Sequence, residues 1–242
     1  MSEIMAIASS TWRRVLRMKS VYFLILCTII LIACAYNYDV LSIGRHRELM
    51  MNVSLFLNTL AAVIVAISLT FELPKDIKSG VASTLLSKPL GRTQYLVGKL
   101  VGTIITGIVV CALITIGFTF IFNTFFEKTP VSMIQGHLMV IASLLPMCAV
   151  ALLFSVLLPE SIAAVVTAIF IGLSFSATKL SHIKFLYGGI IPDLNLFDLR
   201  GEAVWGANIS VMYMLFTVVW GIVFCVFASS LASLVFGHKD LK

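Results

Sequence analysis

Long stretches of apolar residues constrain this chain more than any other feature of its sequence. A bilayer's hydrocarbon is about 30 Å thick, and a helix rising about 1.5 Å per residue needs about 20 apolar residues to cross it. Runs of that kind fall at Val21–Tyr36, Val53–Phe71, Val97–Phe122, Leu138–Leu158, Ser161–Ala177 and Ile209–Phe236. The first and fifth are short and the last is long, so tilt or interfacial overhang is expected. Pro159-Glu160 separates the fourth and fifth runs. A proline beside an acid inside so long an apolar stretch reads as a hairpin turn between two crossings. With 60% hydrophobic and 12% charged residues among 242, too little charge is available to coat a soluble domain. The pattern predicts an all-α integral membrane protein, one transmembrane domain over residues 1–242 with six transmembrane helices.

The net charge of +6 would suggest nucleic acid in a soluble protein, but its distribution marks topology instead. With the N-terminus in the cytoplasm, the inner side receives Arg13, Arg14, Arg17, Lys19, Lys75, Lys78, Lys88, Arg92, Lys99, Lys239 and Lys242. The other side receives Arg45, Arg47, Lys128, Lys179, Lys184 and Arg200, while acids divide almost evenly. The positive-inside rule then places both termini in the cytoplasm of a cell with this chain in its cytoplasmic (inner) membrane. Leu31-Ile32-Ala33-Cys34 and Ala33-Cys34-Ala35 have the look of signal-processing sites. Small-residue strings are equally common in real spans, and the first run is read as retained. Ahead of it, residues 1–19 carry Ile4, Ala8, Trp12 and Val15 at helical spacing opposite Ser9, Ser10, Arg13, Arg14 and Arg17. This predicts a helix lying in the membrane interface, with the lipid bilayer itself as a partner.

What the spans lack excludes several chemistries. Glu72 and Glu160 stand only at span ends, so the ionisable relay usual in proton- or sodium-coupled carriers is missing. Gly172-Leu173-Ser174 would suit a membrane serine protease, but His46, His137, His182 and His238 all lie in loops or at span ends. Without a base in hydrogen-bond reach the hydroxyl stays inert, and Ser174 is expected to bond its own backbone. Met50-Met51 and Met212-x-Met214 are too sparse for a cuprous site and read as packing. The five cysteines sit in apolar runs without a CxxC pair, so no metal site is expected. Between Gly91 and Gly98-Lys99 lie six residues, and Leu100 follows the lysine. A P-loop needs four, then Ser or Thr, so any nucleotide must be bound by another chain. Gly98-x-x-x-Gly102 instead predicts close helix contact.

Two connections concentrate the remaining information. The first, residues 72–94, is a mixed-charge stretch with Pro74 and Pro89 at its ends, Gly80 as a breaker and a short helix expected over Val81–Ser87. A small apolar helix flanked by charges suits docking to another protein. Asp76-x-x-Ser79-Gly80, then Leu85-Leu86-Ser87-Lys88-Pro89-Leu90-Gly91-Arg92 and Gly98-Lys99-x-x-Gly102, resembles the second-to-third-span loop of type-two (exporter-like) ABC transporter permeases. It is especially similar to the branch containing the nitrous oxide reductase and copper-enzyme maturation permease. Lys78 and Ser79 depart from that pattern.

The second connection, residues 178–208 on the outer side, is too apolar for a free loop and too rich in breakers for a span. Gly188, Gly189, Pro192, Asp193, Asn195 and Phe197 suit dipping helices that re-enter on the same side. Ile191-Pro192-Asp193-Leu194-Asn195-Leu196-Phe197 also resembles the same branch. The resemblance implies a permease with a cytoplasmic coupling helix and re-entrant outer helices before the last span. It further implies an ATPase contact through Asp76, Ser79, Gly80, Leu85, Leu86, Ser87, Lys88, Pro89 and Arg92. ATP and magnesium would then belong to a separate ABC ATPase subunit, with no cofactor and no catalytic residue on this chain. A second copy of the chain and periplasmic or membrane accessory proteins are the other implied partners. A non-transporting membrane anchor or regulatory subunit of an envelope assembly, and a secondary carrier, are the alternatives.

Overall fold

The computed structural model describes residues 2–17, 19–35, 45–81, 91–126, 128–176, 192–206 and 209–238. Among these it contains eight α-helices and one short 3-10 turn. They are α1 (Ser2–Leu16), α2 (Lys19–Ala35), α3 (His46–Lys78), α4 (Arg92–Phe125), α5 (Val131–Leu157), α6 (Glu160–Phe175), the turn Leu194–Phe197, α7 (Arg200–Val204) and α8 (Val211–Gly237). Helices α3, α4, α5 and α8 are long and apolar enough to cross a membrane. The chain is therefore a multi-pass helical membrane protein. Helices α2 and α6 are equally apolar but have 17 and 16 residues, or about 26 and 24 Å of length, somewhat less than the hydrocarbon they would cross.

Helix α5 is the hub. It packs against α3, α4, α6, α7 and α8, and 67% of its most apolar window is buried against 22% for α8. Its buried side includes Leu144, Met147, Cys148, Ala151 and Leu152. With no sharp polar face on α5, its neighbours surround it, as expected for a helix apolar all round.

The helices overrun the apolar segments that the sequence marks. Helix α3 continues past Phe71 to Lys78 with Pro74 inside it, so its 33 residues extend about 50 Å. The reading of residues 72–94 as one connection is corrected accordingly. Its first seven residues are the last two turns of α3, and α4 begins at Arg92. Pro74 lacks an N–H and so forgoes one helical bond, but buried neighbours on that turn, Leu73 and Asp76, hold the helix together. The reversal comes at Gly80, whose φ of 73° is a conformation other residues rarely adopt.

Helix α1 is held against α4 rather than standing apart. Its buried face is Ile7, Ala8, Thr11 and Val15, rotated from the Ile4, Ala8, Trp12 and Val15 stripe that periodicity predicts. The reason lies on α4. A Cβ at Gly98 would stand 2.8 Å from Ile7, and one at Gly102 would stand 2.7 Å from Thr11 and 2.8 Å from the Ala8 carbonyl. The Gly98-x-x-x-Gly102 groove thus lets the α1 backbone sit directly on α4, which is the close contact that small-residue spacing permits.

Candidate functional site

The ends of α1, α6 and α8 meet the end of α3 and the start of α4, and side chains of α1, α3 and α4 build a buried charged site there. Glu72 and Asp76 are four residues apart and share one face of α3; Tyr95 and Lys99 do the same on α4. All four are buried, with Glu72 at 3%, Asp76 at 2% and Lys99 at 2% exposure. The Lys99 ammonium lies 2.6 Å from Asp76 Oδ2 and 3.4 Å from Glu72 Oε2. Tyr95 donates its hydroxyl to Asp76 Oδ2 at 3.1 Å, and α1 contributes Arg14, whose Nη1 donates to Asp76 Oδ1 at 2.6 Å.

Two carboxylates and two cations make this cluster neutral. Burying any one of the four charges alone would be costly, and their mutual hydrogen bonds compensate for lost water. The bond to Asp76 raises the Arg14 pKa above the ordinary arginine value, against the opposing effect of burial. One atom is left out. Glu72 Oε1 is buried without a hydrogen-bond partner.

Around this centre, further contacts bind the helix ends together. Arg92 donates Nη1 to the carbonyls of Phe236 and Gly237 at 3.1 and 2.9 Å, so a cation caps the free carbonyls that end α8. Tyr95 stacks on Phe236 with centroids 6.3 Å apart. Lys78 reaches Glu160 at the start of α6, 3.4 Å away and exposed. The Gly91 N–H bonds Gln94 Oε1 at 3.0 Å and helps begin α4.

Of the residues expected to face an ATPase, Asp76 is turned inward and committed to Arg14, Lys99 and Tyr95, while Arg92 is held on the end of α8. Ser79 is exposed and Gly80 partly so. Leu85, Leu86, Ser87, Lys88 and Pro89 lie outside the described residues, as do Gly188 and Gly189.

At the opposite end, Pro192 is buried, and Asp193 accepts the Asn195 N–H at 3.0 Å to start the 3-10 turn. Phe197 is buried against α8 with its ring 6.1 Å from Trp220. Tyr213 donates to the Leu196 carbonyl at 2.8 Å, and Arg200 is fixed by Asp198 through Nε at 2.7 and 3.0 Å. Ser132 of α5 donates to the Ala203 carbonyl at 3.0 Å. Residues 192–206 therefore form a packed cap over α3, α5 and α8, with side chains satisfying the Asn195 and Arg200 N–H groups and the Leu196 and Ala203 carbonyls.

Sequence reasoning missed a second buried polar group between these ends. Asn58 of α3 lies 2.8 Å from His137 Nδ1 on α5 and 3.4 Å from Thr115 Oγ1 on α4. His137 lies in the second turn of α5, next to the start of its apolar run, and is buried, with Phe118 5.2 Å from its ring. A search for acids within spans overlooks it, whereas an asparagine in an apolar run was the available signal. Ser174 bonds the Phe170 carbonyl at 2.8 Å, as its position suggested. No family model matches the chain, and no curated protein matches it.

Proposed function

We propose that this chain is the membrane subunit of an ABC exporter, with α2, α3, α4, α5, α6 and α8 as six spans and both termini in the cytoplasm. Energy would come from ATP and magnesium on a separate ATPase, docked on the connection from Ser79 to Gly91. The motif resemblance over residues 76–102 names the class. The observation that carries the reading physically is the convergence of α1, α6 and α8 on the end of α3 and the start of α4. A push on these two helix ends reaches both long spans and α1 through the Arg14–Asp76–Lys99 network.

The alternation of helix ends supports six crossings. Arg92 meets the end of α8, and Lys78 meets the start of α6, so these four ends lie together as successive passes require. The residues at 192–206 form part of the outer cap near the exit side. Transport proceeds in this reading as ATPase closure moves the α3–α4 corner, with the packed cap yielding at the far end. Its apolar spans do not specify a substrate.

Copurification of the chain with its ATPase tests the reading. Leu85→Asp should abolish partner binding while leaving membrane insertion intact, because a carboxylate would be buried without a partner in the docking contact. Normal partner binding and normal ATP-driven transport in that variant would refute the coupling assignment. A regulatory anchor would keep the ATPase bound yet show no ATP-dependent movement of any solute.

A further inference from the structure

The face of α1 that turns away from α4 is basic. Ile7, Ala8, Thr11 and Val15 are buried, whereas Ser10, Arg13 and Arg17 are exposed. Ala6, Ser9, Ser10, Arg13, Arg14 and Arg17 line a shallow cleft of about 480 Å³ along that face. Arg14 is committed, since its guanidinium reaches across to Asp76 and fixes how α1 is rotated on the bundle. Arg13 and Arg17 are not. Neither makes an ion pair with any described residue, and the one acid in α1, Glu3, stands at the other end of the helix.

The Arg17 N–H bonds the Arg13 and Arg14 carbonyls at 3.3 and 3.1 Å, so the helical turn runs on to it. Arg13 and Arg17 are therefore neighbours on one helix face, where like charges repel. An anion between them turns that repulsion into attraction. The guanidinium fork suits a phosphate, which it grips through two N–H groups at once. What kind of phosphate follows from the place. Arg17 stands just ahead of α2, whose apolar run begins at Val21. The opposite face of α1 rests on α4 at Gly98 and Gly102, where α4 enters its own apolar run. The basic face thus lies where hydrocarbon gives way to headgroups, and lipid phosphates are the anions at that level. A choline or ethanolamine headgroup brings its own cation to the two arginines. A headgroup without one does not.

We propose that this face of α1 is a binding site for an anionic phospholipid, with the lipid phosphate held between Arg13 and Arg17. Helical spacing alone places α1 in the interface; the class of headgroup comes from which cations the fold leaves unpaired. The site requires only that the chain sits in a membrane, so it does not rest on the exporter reading.

The test reconstitutes the full chain in bilayers of equal parts dioleoyl phosphatidylglycerol, phosphatidylcholine and phosphatidylethanolamine. It is then extracted in mild detergent, and retained lipids are counted by native mass spectrometry. The wild type should keep phosphatidylglycerol about 20-fold over phosphatidylcholine, because two basic residues at an anionic surface contribute about fivefold each. Arg13→Gln/Arg17→Gln leaves the Arg14–Asp76 bond in place and should lower that preference about tenfold. Arg47→Gln/Lys128→Gln removes two exposed cations from the opposite ends of α3 and α4 and should change it less than about twofold. Added phosphatidylglycerol should raise the unfolding temperature of the delipidated wild type but not that of Arg13→Gln/Arg17→Gln. Equal retention of the three lipids by the wild type overturns the proposal. So does a preference that survives Arg13→Gln/Arg17→Gln, which would leave the face to an acidic segment of a protein partner. An equal loss in Arg47→Gln/Lys128→Gln would mean attraction to net charge alone, and it overturns the site as well. Displacement of the lipid by inorganic phosphate beyond that by chloride at equal ionic strength would mark a site for a soluble anion instead.

Discussion

Two buried polar groups in this protein solve the same problem in opposite ways. At the helix ends around Ser79–Gly91, four charged side chains and Tyr95 are packed together, and nearly every polar atom has a partner. Near the start of α5, Asn58, His137 and Thr115 make a small neutral group, with Asn58 Oδ1 and His137 Nε2 both buried without a partner. Turning the Asn58 amide over does not help. Asn58 Oδ1 would then accept from His137 Nδ1, leaving the amide N–H groups and Nε2 short instead. The charged group lies past Phe71 on α3, where the helix has outrun its apolar run; the neutral group lies inside it. Depth decides which is tolerated. Full charges need the margin of the bilayer and mutual pairing, whereas neutral amides and imidazoles survive deeper with poorer satisfaction.

The sharpest way to break this comparison is to remove the central cation. Lys99→Met would leave Glu72 and Asp76 buried with only Arg14 and Tyr95 to answer two carboxylates. Breaking a buried pair in this way typically costs about 3–5 kcal/mol. Thermal unfolding in detergent should show the largest loss of any single substitution considered, and Glu72→Gln in the same chain should restore part of it. If Lys99→Met unfolds at the wild-type temperature, the charged group is ornamental and the contrast with Asn58–His137 disappears.

A second prediction tests how α1 is tied into the charged end. Gly102→Val places side-chain atoms where Thr11 and the Ala8 carbonyl already stand, with backbone on one side that has no room to give. Overpacking of this kind costs about 1–3 kcal/mol, and the damage should be local. Helix α1 should lift from α4 and pull Arg14 from Asp76. Distances between spin labels on Arg13 and Thr93 report this; an unchanged distance would mean that α1 is held by something other than the glycine groove.

These two regions also differ in how far they could be read from the sequence. Apolar runs located every long helix, because burying a span leaves a signal in each residue it contains. Ends were harder. Glu72 to Lys78 read as a loop because charges and Pro74 follow an apolar run, yet the buried contacts of Leu73 and Asp76 keep α3 helical. Gly98-x-x-x-Gly102 announced a close contact but not its partner, since nothing local to α4 names α1. The charged cluster was hidden for the same reason. Arg14, Asp76 and Lys99 are far apart in the chain, and each had a sufficient role as a topology signal or docking charge. The spacing that placed Glu72 with Asp76, and Tyr95 with Lys99, on single helix faces was the legible part; that the faces met was not.

A smaller effect is expected when α8 loses its cap. Arg92→Ala frees the carbonyls of Phe236 and Gly237 at the surface end of the helix, where water can replace the guanidinium. About 0.5–1 kcal/mol is the scale for such a charge at a helix C-terminus. Hydrogen exchange confined to the last turn of α8 would reveal it, whereas global unfolding would mean that Arg92 belongs to the buried network after all.

The smallest effect is predicted where the neutral group is replaced outright. His137→Phe alone should cost about 1–2 kcal/mol, because Asn58 then keeps only the long contact to Thr115 while staying buried. Asn58→Leu combined with His137→Phe removes both partners together and fills similar volume beside Phe118. Replacing a polar pair by apolar groups of like shape is often nearly neutral, so the double variant should unfold within about 1 kcal/mol of the wild type and above the single one. At the charged end the rescue is only partial, because removing Lys99 and Glu72 together still leaves the buried Asp76 of α3 with only Arg14 of α1 and Tyr95 of α4 to answer it. Thermal unfolding of both sets in one detergent compares them directly. Should the Asn58→Leu/His137→Phe chain prove less stable than either single variant, depth alone does not explain the difference, and the neutral group holds the bundle as firmly as the charged one.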